Sequence, residues 1–263
     1  ILAGVGEFVG TTSFLFLALA GAKTATLSVP IAQNPADITT VGLADQTIIY
    51  ISLSFGLSLI VTAWAFFRIT GALFNPAITL ALWLIGAISW FRATLLTISQ
   101  LAGGLAAAGL VALLTPHGTV NTVVLHPAAE VTNAQGLFLE ALLTSMLVFV
   151  VLMLAAEKHK GTFMAPVGIG LTLFICHLVG VAYTGCGMNP SRALGPSVVA
   201  RDFGTSHWIY WIGPMIGSLF AVGFYMVLKA LKYEEIALNQ DSSEPVPGAK
   251  LPHQRFVKRI NYR

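Results

Sequence analysis

The sequence predicts an all-α membrane protein of six transmembrane helices plus two re-entrant half-helices, built as an inverted repeat. Three observations lead there. Of 263 residues, 56% are hydrophobic and only 10% charged, with a mean hydropathy of +0.80; soluble domains run near 25% charged. Six stretches, approximately 5–22, 46–68, 91–114, 136–156, 164–182 and 207–231, are apolar over a length able to span a bilayer, which takes roughly 20 helical residues. Finally, TGALFNPAIT at 70–79 returns 114 residues later as TGCGMNPSRA at 184–193.

The elements follow in order. The first span carries Glu7 and, four residues on, Thr11. The chain begins with Ile almost inside this span, so the natural start is expected to be missing, and no signal peptide is evident. Residues 23–45 read as a long outer loop. It holds a third Asn-Pro-Ala at Asn34–Ala36, which lacks the Thr-Gly lead and is read as a turn. The second span contains Phe55-Gly56-Leu57, which falls on Ile169-Gly170-Leu171 of the fifth at the same 114-residue offset. Gln100-x-x-Gly103 of the third falls likewise on Pro214-x-x-Gly217 of the sixth. The fourth span repeats the opening pattern as Glu140 and Thr144. Residues 115–135 form another outer loop and 157–162 a short basic inner one. From about 233 the composition turns polar, with Pro245, Pro247 and Pro252. The expected division is a transmembrane domain over 1–232 (repeat one 1–114, repeat two 136–231) and a polar C-terminal tail over 233–263.

Each half therefore reads as span, span, half-helix, span. Three full spans per half turn the second half upside down relative to the first, and such repeats are related by a pseudo-two-fold axis in the membrane plane. Asn is a strong N-cap, and Pro at the first helical position wastes no backbone donor. Asn75-Pro76 and Asn189-Pro190 are thus expected to start short helices over 76–84 and 190–199 at mid-membrane. The segments before them cannot pair all their carbonyls internally, and such backbone is tolerated only within protein or along a wet cavity. An extended path is expected there, with Gly71, Ala72, Leu73, Gly185 and Gly187 presenting backbone to a pore. Interrupted spans at matching positions point to a transport site.

Orientation follows from Lys and Arg placement. One side would carry Arg68, Arg92, Lys158, Lys160, Lys229, Lys232, Lys250, Arg255, Lys258, Arg259 and Arg263, the other only Lys23, Arg192 and Arg201. Both termini are therefore expected in the cytoplasm. The pI near 9.0 reads as topology, so no nucleic-acid partner is expected. The two cysteines, Cys176 and Cys186, make no disulfide framework.

Glu7 and Glu140 lie in apolar spans, where an ionised group is costly. They read either as a proton relay or as acceptors for backbone N–H groups of the re-entrant loops. Their occurrence once per half favours the second. His177 is the histidine deep within an apolar span, and Arg192 stands three residues after Asn189. A guanidinium at that depth must face water or a partner, so both are expected to line the pore. Cys176, about 100° around the helix from His177, reads as packing; Cys186, in the irregular stretch, reads as exposed. No catalytic constellation, metal cluster or phosphate loop is found, so neither an enzyme nor a cofactor is expected.

These residues resemble the aquaporin (major intrinsic protein) family over residues 3–231: the Glu-x-x-x-Thr starts, the doubled Thr-Gly-x-x-x-Asn-Pro, and His-Trp-x-Tyr-Trp-x-Gly-Pro at 207–214. The resemblance implies an hourglass fold with one pore per subunit of a homotetramer, an integral multi-pass protein expected in the plasma membrane. It implies that Phe55, His177 and Arg192 form the outer constriction, with Cys186 in its fourth position and the candidate mercury site. His177, Ala193 after Arg192, and Tyr210-Trp211 are similar to water-selective members rather than glycerol-conducting ones. Water would then be the permeant, excluding protons and ions. Two departures stand out: Ser191 replaces the usual Ala of the second motif, and Leu73 stands where many relatives have His. Leu-Phe-Asn-Pro-Ala is similar to fungal members. An aquaglyceroporin, a membrane-junction protein and, more remotely, a proton-coupled transporter remain the alternatives.

Overall fold

The structure, a computed structural model, describes residues 1–27 and 45–236. The Asn34 turn and most of the polar tail, with Lys250 to Arg263, lie outside the described residues. Among those described there are eight α-helices and no strand: α1 (Leu2–Leu27), α2 (Asp45–Phe66), α3 (Pro76–Leu84), α4 (Trp90–Leu114), α5 (Asn133–Val151), α6 (Ala165–Thr184), α7 (Pro190–Ala200) and α8 (Ile209–Ala230). A π turn, Leu152–Ala156, prolongs α5. Six of these elements are long and apolar enough to cross a membrane. The short α3 and α7 are the two half-helices, starting at Pro76 and Pro190 as the Asn-Pro signals require.

Packing follows the repeat. Helix α1 lies on α4 and α2, as α5 lies on α8 and α6; α4 takes up α7, and α8 takes up α3. Exchanging the halves maps each pair onto another, while α2 and α6 pack on each other across the centre. The sequence reason is visible at Gly56 and Gly170. A Cβ on Gly56 would stand 2.6 Å from Phe174 Cβ, and one on Gly170 would stand 2.7 Å from the Gly56 carbonyl. Small residues let membrane helices approach this closely.

Alternating direction puts the 66–69, 85–90 and 157–164 connections at one end, which we call the Lys158 side. The 115–132 and 201–208 connections lie at the other, the Arg192 side. Helix α3 starts at mid-depth and runs back to the Lys158 side; α7 does the same toward the Arg192 side. Their N-termini meet at the centre.

Candidate functional site

The approach to each half-helix is not extended. Gly71, Ala72 and Phe74 have φ of 99°, 54° and 51°; Gly185, Cys186 and Met188 have 77°, 56° and 54°. The expectation of an extended path is corrected. Four non-glycine residues sit in the left-handed region, which is costly and persists only where the surroundings impose it. Here the surroundings are carboxylates. Leu73 N and Phe74 N donate to Glu7 Oε1 and Oε2 at 3.1 and 2.8 Å. Gly187 N and Met188 N donate to Glu140 Oε1 and Oε2 at 2.8 and 2.7 Å. Turning two successive N–H groups onto one carboxylate needs the left-handed turns. Thr70 Oγ1 and Thr184 Oγ1 complete each loop by accepting from Ala72 N and Cys186 N.

The two carboxylates are held by residues that the sequence marked only as parts of motifs, not as their partners. Gln100 Nε2 donates to Glu7 Oε2 at 2.8 Å and also bonds Thr79. Thr184 Oγ1 donates to Glu140 Oε1 at 2.6 Å, and Tyr210 Oη to the Thr184 carbonyl at 2.6 Å. A Gln in an apolar span was the available signal for the first. Nothing in the spacing distinguishes Thr184 as a donor.

At the centre each asparagine makes two bonds. Asn75 Oδ1 caps α3 through Ala77 N, and Asn189 Oδ1 caps α7 through Ser191 N, both at 2.9 Å. Asn75 Nδ2 donates to the Met188 carbonyl and Asn189 Nδ2 to the Phe74 carbonyl, again at 2.9 Å. An amide NH₂ has two protons, so each keeps one N–H beyond these bonds. Both residues line a central cavity.

Toward the Arg192 side, that cavity is lined by Phe55, His177 and Arg192. The rings of Phe55 and His177 stack at 4.2 Å between centroids, and Arg192 Cζ lies 5.2 Å from the Phe55 ring centre. His177 Nδ1 bonds the Leu173 carbonyl at 2.9 Å, which makes Nδ1 the donor and leaves Nε2 as an acceptor. Arg192 Nη1 donates to the Val123 carbonyl at 2.8 Å. His177 Nε2 and Arg192 Nε are buried without a protein partner. Over the whole of this cavity, from the asparagines to Arg192, the space open to the centre of a water molecule is about 20 Å³, little more than the 10–15 Å³ that one water needs.

Toward the Lys158 side a wider cavity of about 280 Å³ follows, lined by Gly71, Ala72 and Leu73 with Ala155, Ala156 and Lys158. Leu59, Leu73 and Ile78 line both cavities, so the two are adjoining parts of one path. Gly187 lines the narrow part, whereas Gly185 does not; Gly185 is the left-handed C-cap of α6.

Cys186 departs from expectation. Its residue is fully buried, its Sγ lies 3.3 Å from Met188 Sδ and 3.4 Å from the Cys176 carbonyl, and it is not among the residues lining the cavity. The left-handed turn at Cys186 directs the side chain against Gly180 of α6. The reading of an exposed fourth constriction side chain and mercury site is therefore corrected: Met188 reaches the cavity instead. Cys176 packs as expected, its thiol 3.7 Å from the Leu143 carbonyl.

Comparison with known proteins bears on the family and the fold. The chain is 47% identical over 241 residues to Aquaporin-7 of Botryotinia fuckeliana (strain B05.10), covering 92% of this chain and 52% of that protein. It is 46% identical over 255 residues to Probable aquaporin-5 of Gibberella zeae, covering 97% and 46%. The chain thus spans about half the length of these relatives. Among solved structures, the aquaglyceroporin from Plasmodium falciparum shares the fold, with a TM-score of 0.73 at 19% identity over 89% of this chain and 98% of that one. The sequence profile described as Major intrinsic protein matches residues 1–225. With six spans, two half-helices meeting at their asparagines and a family match over most of its length, the chain belongs to the major intrinsic protein family of multi-pass membrane channels, not enzymes.

Proposed function

We propose that this chain is a passive, water-selective channel. The observation that carries the reading is the narrowness of the cavity that runs from Asn75 and Asn189 to Phe55, His177 and Arg192: in all, about 20 Å³ is open to the centre of a water molecule. A water fits such a space, whereas glycerol, with its three-carbon chain, does not without displacing a ring. Arg192 Nε–H and the His177 Nε2 acceptor offer a passing water one donor and one acceptor. At the centre the spare N–H groups of Asn75 and Asn189 both donate to the water oxygen. The helices α3 and α7 point their N-termini at the same spot, each equivalent to roughly half a positive charge. Two such ends, with the Arg192 guanidinium above, raise a barrier to cations and protons that a neutral water does not meet.

The setting is part of the proposal. Among the described residues, Arg68, Arg92, Lys158, Lys160, Lys229 and Lys232 stand on one side and Lys23, Arg192 and Arg201 on the other, which supports a cytoplasmic Lys158 side, where α1 begins and α8 ends. We expect a homotetramer with one pore per subunit, in the plasma membrane.

Purified protein in proteoliposomes tests the reading by stopped-flow light scattering, with water and glycerol permeability measured side by side. Fast water flux with glycerol flux near that of empty liposomes is the expected result. Comparable glycerol flux would make the chain an aquaglyceroporin. Negligible flux of both would turn the argument toward a junction role.

A further inference from the structure

We propose that Lys23, on α1 and outside the pore lining, is a positioning residue for Arg192. It acts through the 115–123 segment, and the inference rests on the constriction described above. Lys23 is only 4% exposed, and its Nζ meets three acceptors: Thr115 Oγ1 at 2.7 Å, the Pro116 carbonyl at 3.0 Å and the Thr119 carbonyl at 2.6 Å. An ammonium has three donors and no acceptor, so the three bonds use it completely. All three partners belong to the connection that leaves α4.

A cation at a helix C-terminus is itself stabilising, and capping α4 would account for the bonds to Thr115 and Pro116. It does not account for Thr119. Between Pro116 and Thr119 the chain reverses through His117 and Gly118, with φ of 69° and 57°. The backbone hydrogen bond that closes onto Thr115 here, from Gly118 N to the Thr115 carbonyl, is long at 3.4 Å. Lys23 spans the reversal, holding a carbonyl on either side of it. Thr119 Oγ1 then accepts from Asn121 N at 3.1 Å, which opens the 3₁₀ turn Asn121–Val123. That turn ends on the carbonyl that takes Arg192 Nη1 at 2.8 Å. Val120 and Val123 are buried at 1% and 3%, so the turn is packed between α1 and α7 rather than free to follow the guanidinium. The relay is therefore Lys23, Thr119, the turn, Val123 and Arg192, a series of hydrogen bonds with no side chain in the pore before the last.

The test uses the whole chain in proteoliposomes. Lys23→Met keeps the stem and removes all three donors; Lys23→Arg keeps donors; Arg192→Val removes the guanidinium. We expect Lys23→Met to raise the ratio of glycerol to water permeability by about threefold or more, the scale of one lost hydrogen bond, and Lys23→Arg to restore most of the original ratio. Lys23→Met added to Arg192→Val should leave the ratio of Arg192→Val unchanged, because coupled sites are not additive. A lowered melting temperature with the wild-type ratio would reduce Lys23 to a fold-stabilising residue and overturn the proposal, as would additive effects in the double variant. If Arg192→Val itself leaves the ratio unmoved, the constriction reading fails. The positioning is then decided by the structure of Lys23→Met: loss of the Arg192–Val123 bond supports it and retention at the present distance refutes it. Should Lys23→Met not assemble, Lys23→Leu, which also removes all three donors, takes its place in each comparison.

Discussion

Asn75 and Asn189 are bonded through each other's loops: Asn75 Nδ2 reaches the carbonyl just before Asn189, and Asn189 Nδ2 reaches the carbonyl just before Asn75, both at 2.9 Å. The two half-helices are thereby locked N-terminus to N-terminus. The arrangement fixes the direction of the remaining N–H of each amide. It also means that the asparagines cap, cross-link and face the cavity with a single side chain each.

Asn189→Asp separates these roles. The carboxylate still caps α7 through Ser191 N, and negative charge at a helix N-terminus is favourable. Toward the Phe74 carbonyl, however, an oxygen replaces a donor, and the added charge opposes the positive ends of both half-helices. We expect measurable proton and sodium leak in proteoliposomes loaded with a pH-sensitive dye, together with reduced water flux. Unchanged proton tightness would sink the electrostatic account of exclusion.

Glu7→Gln and Glu140→Gln address the loops. Each carboxylate accepts two backbone N–H groups and one side-chain donor. A primary amide offers one oxygen, so at least one buried N–H loses its acceptor at a cost of about 1–3 kcal/mol. Both variants should melt at lower temperature in detergent, and by similar amounts. A relay residue in a proton-coupled transporter would behave differently: its glutamine variant would keep the melting temperature and lose a pH-driven flux.

Much of this was legible because the chain writes its architecture twice. Span lengths, the Asn-Pro helix starts and the 114-residue offset carried the helices and the inversion, since each is a local signal repeated. What escaped was the departure from symmetry between matching contacts. Ser218 of α8 donates its hydroxyl to the Ala77 carbonyl of α3 at 2.7 Å. The corresponding place on α4, 114 residues earlier, is Gly104, whose Cβ would stand 2.4 Å from the Ser191 carbonyl. There the hydroxyl sits on the half-helix instead, as Ser191, buried without a protein partner. The unusual Ser of the second motif thus lies where the backbones are too close for a side chain from α4. Such exchanges depend on interhelical distance, which no one-residue pattern encodes. Cys186 misled for a related reason. Its position in the loop was correct, but the sign of φ decides which way a side chain leaves the backbone.

That correction is directly measurable. With its thiol enclosed by Met188, Cys176 and Gly180, Cys186 should react slowly with a polar mercurial such as p-chloromercuribenzene sulfonate in the folded protein, and at once after denaturation in detergent. Water permeability should survive the reagent. Rapid block that disappears in Cys186→Ser would show the thiol turning into the pore and would restore the reading made from the sequence.

The constriction makes the sharpest claim. Phe55 and His177 stack face to face, and Arg192 is held from the far side by Val123, so the three act as one aperture. Replacing His177 by Ala removes a ring from the stack; replacing Arg192 by Val removes both the charge and the tie to Val123. In the double variant we expect glycerol permeability relative to water to rise on the order of tenfold, the scale on which a pocket discriminates a methylene, and cation exclusion to weaken as the guanidinium is lost. His177→Ala alone should admit the larger solute while keeping cations out, because Arg192 remains. Arg192→Val alone should weaken cation exclusion with a smaller gain in glycerol. Size and charge would then be selected by different residues of the same aperture. If the two single variants change both properties in the same proportion, that division of labour is wrong even where the constriction is right.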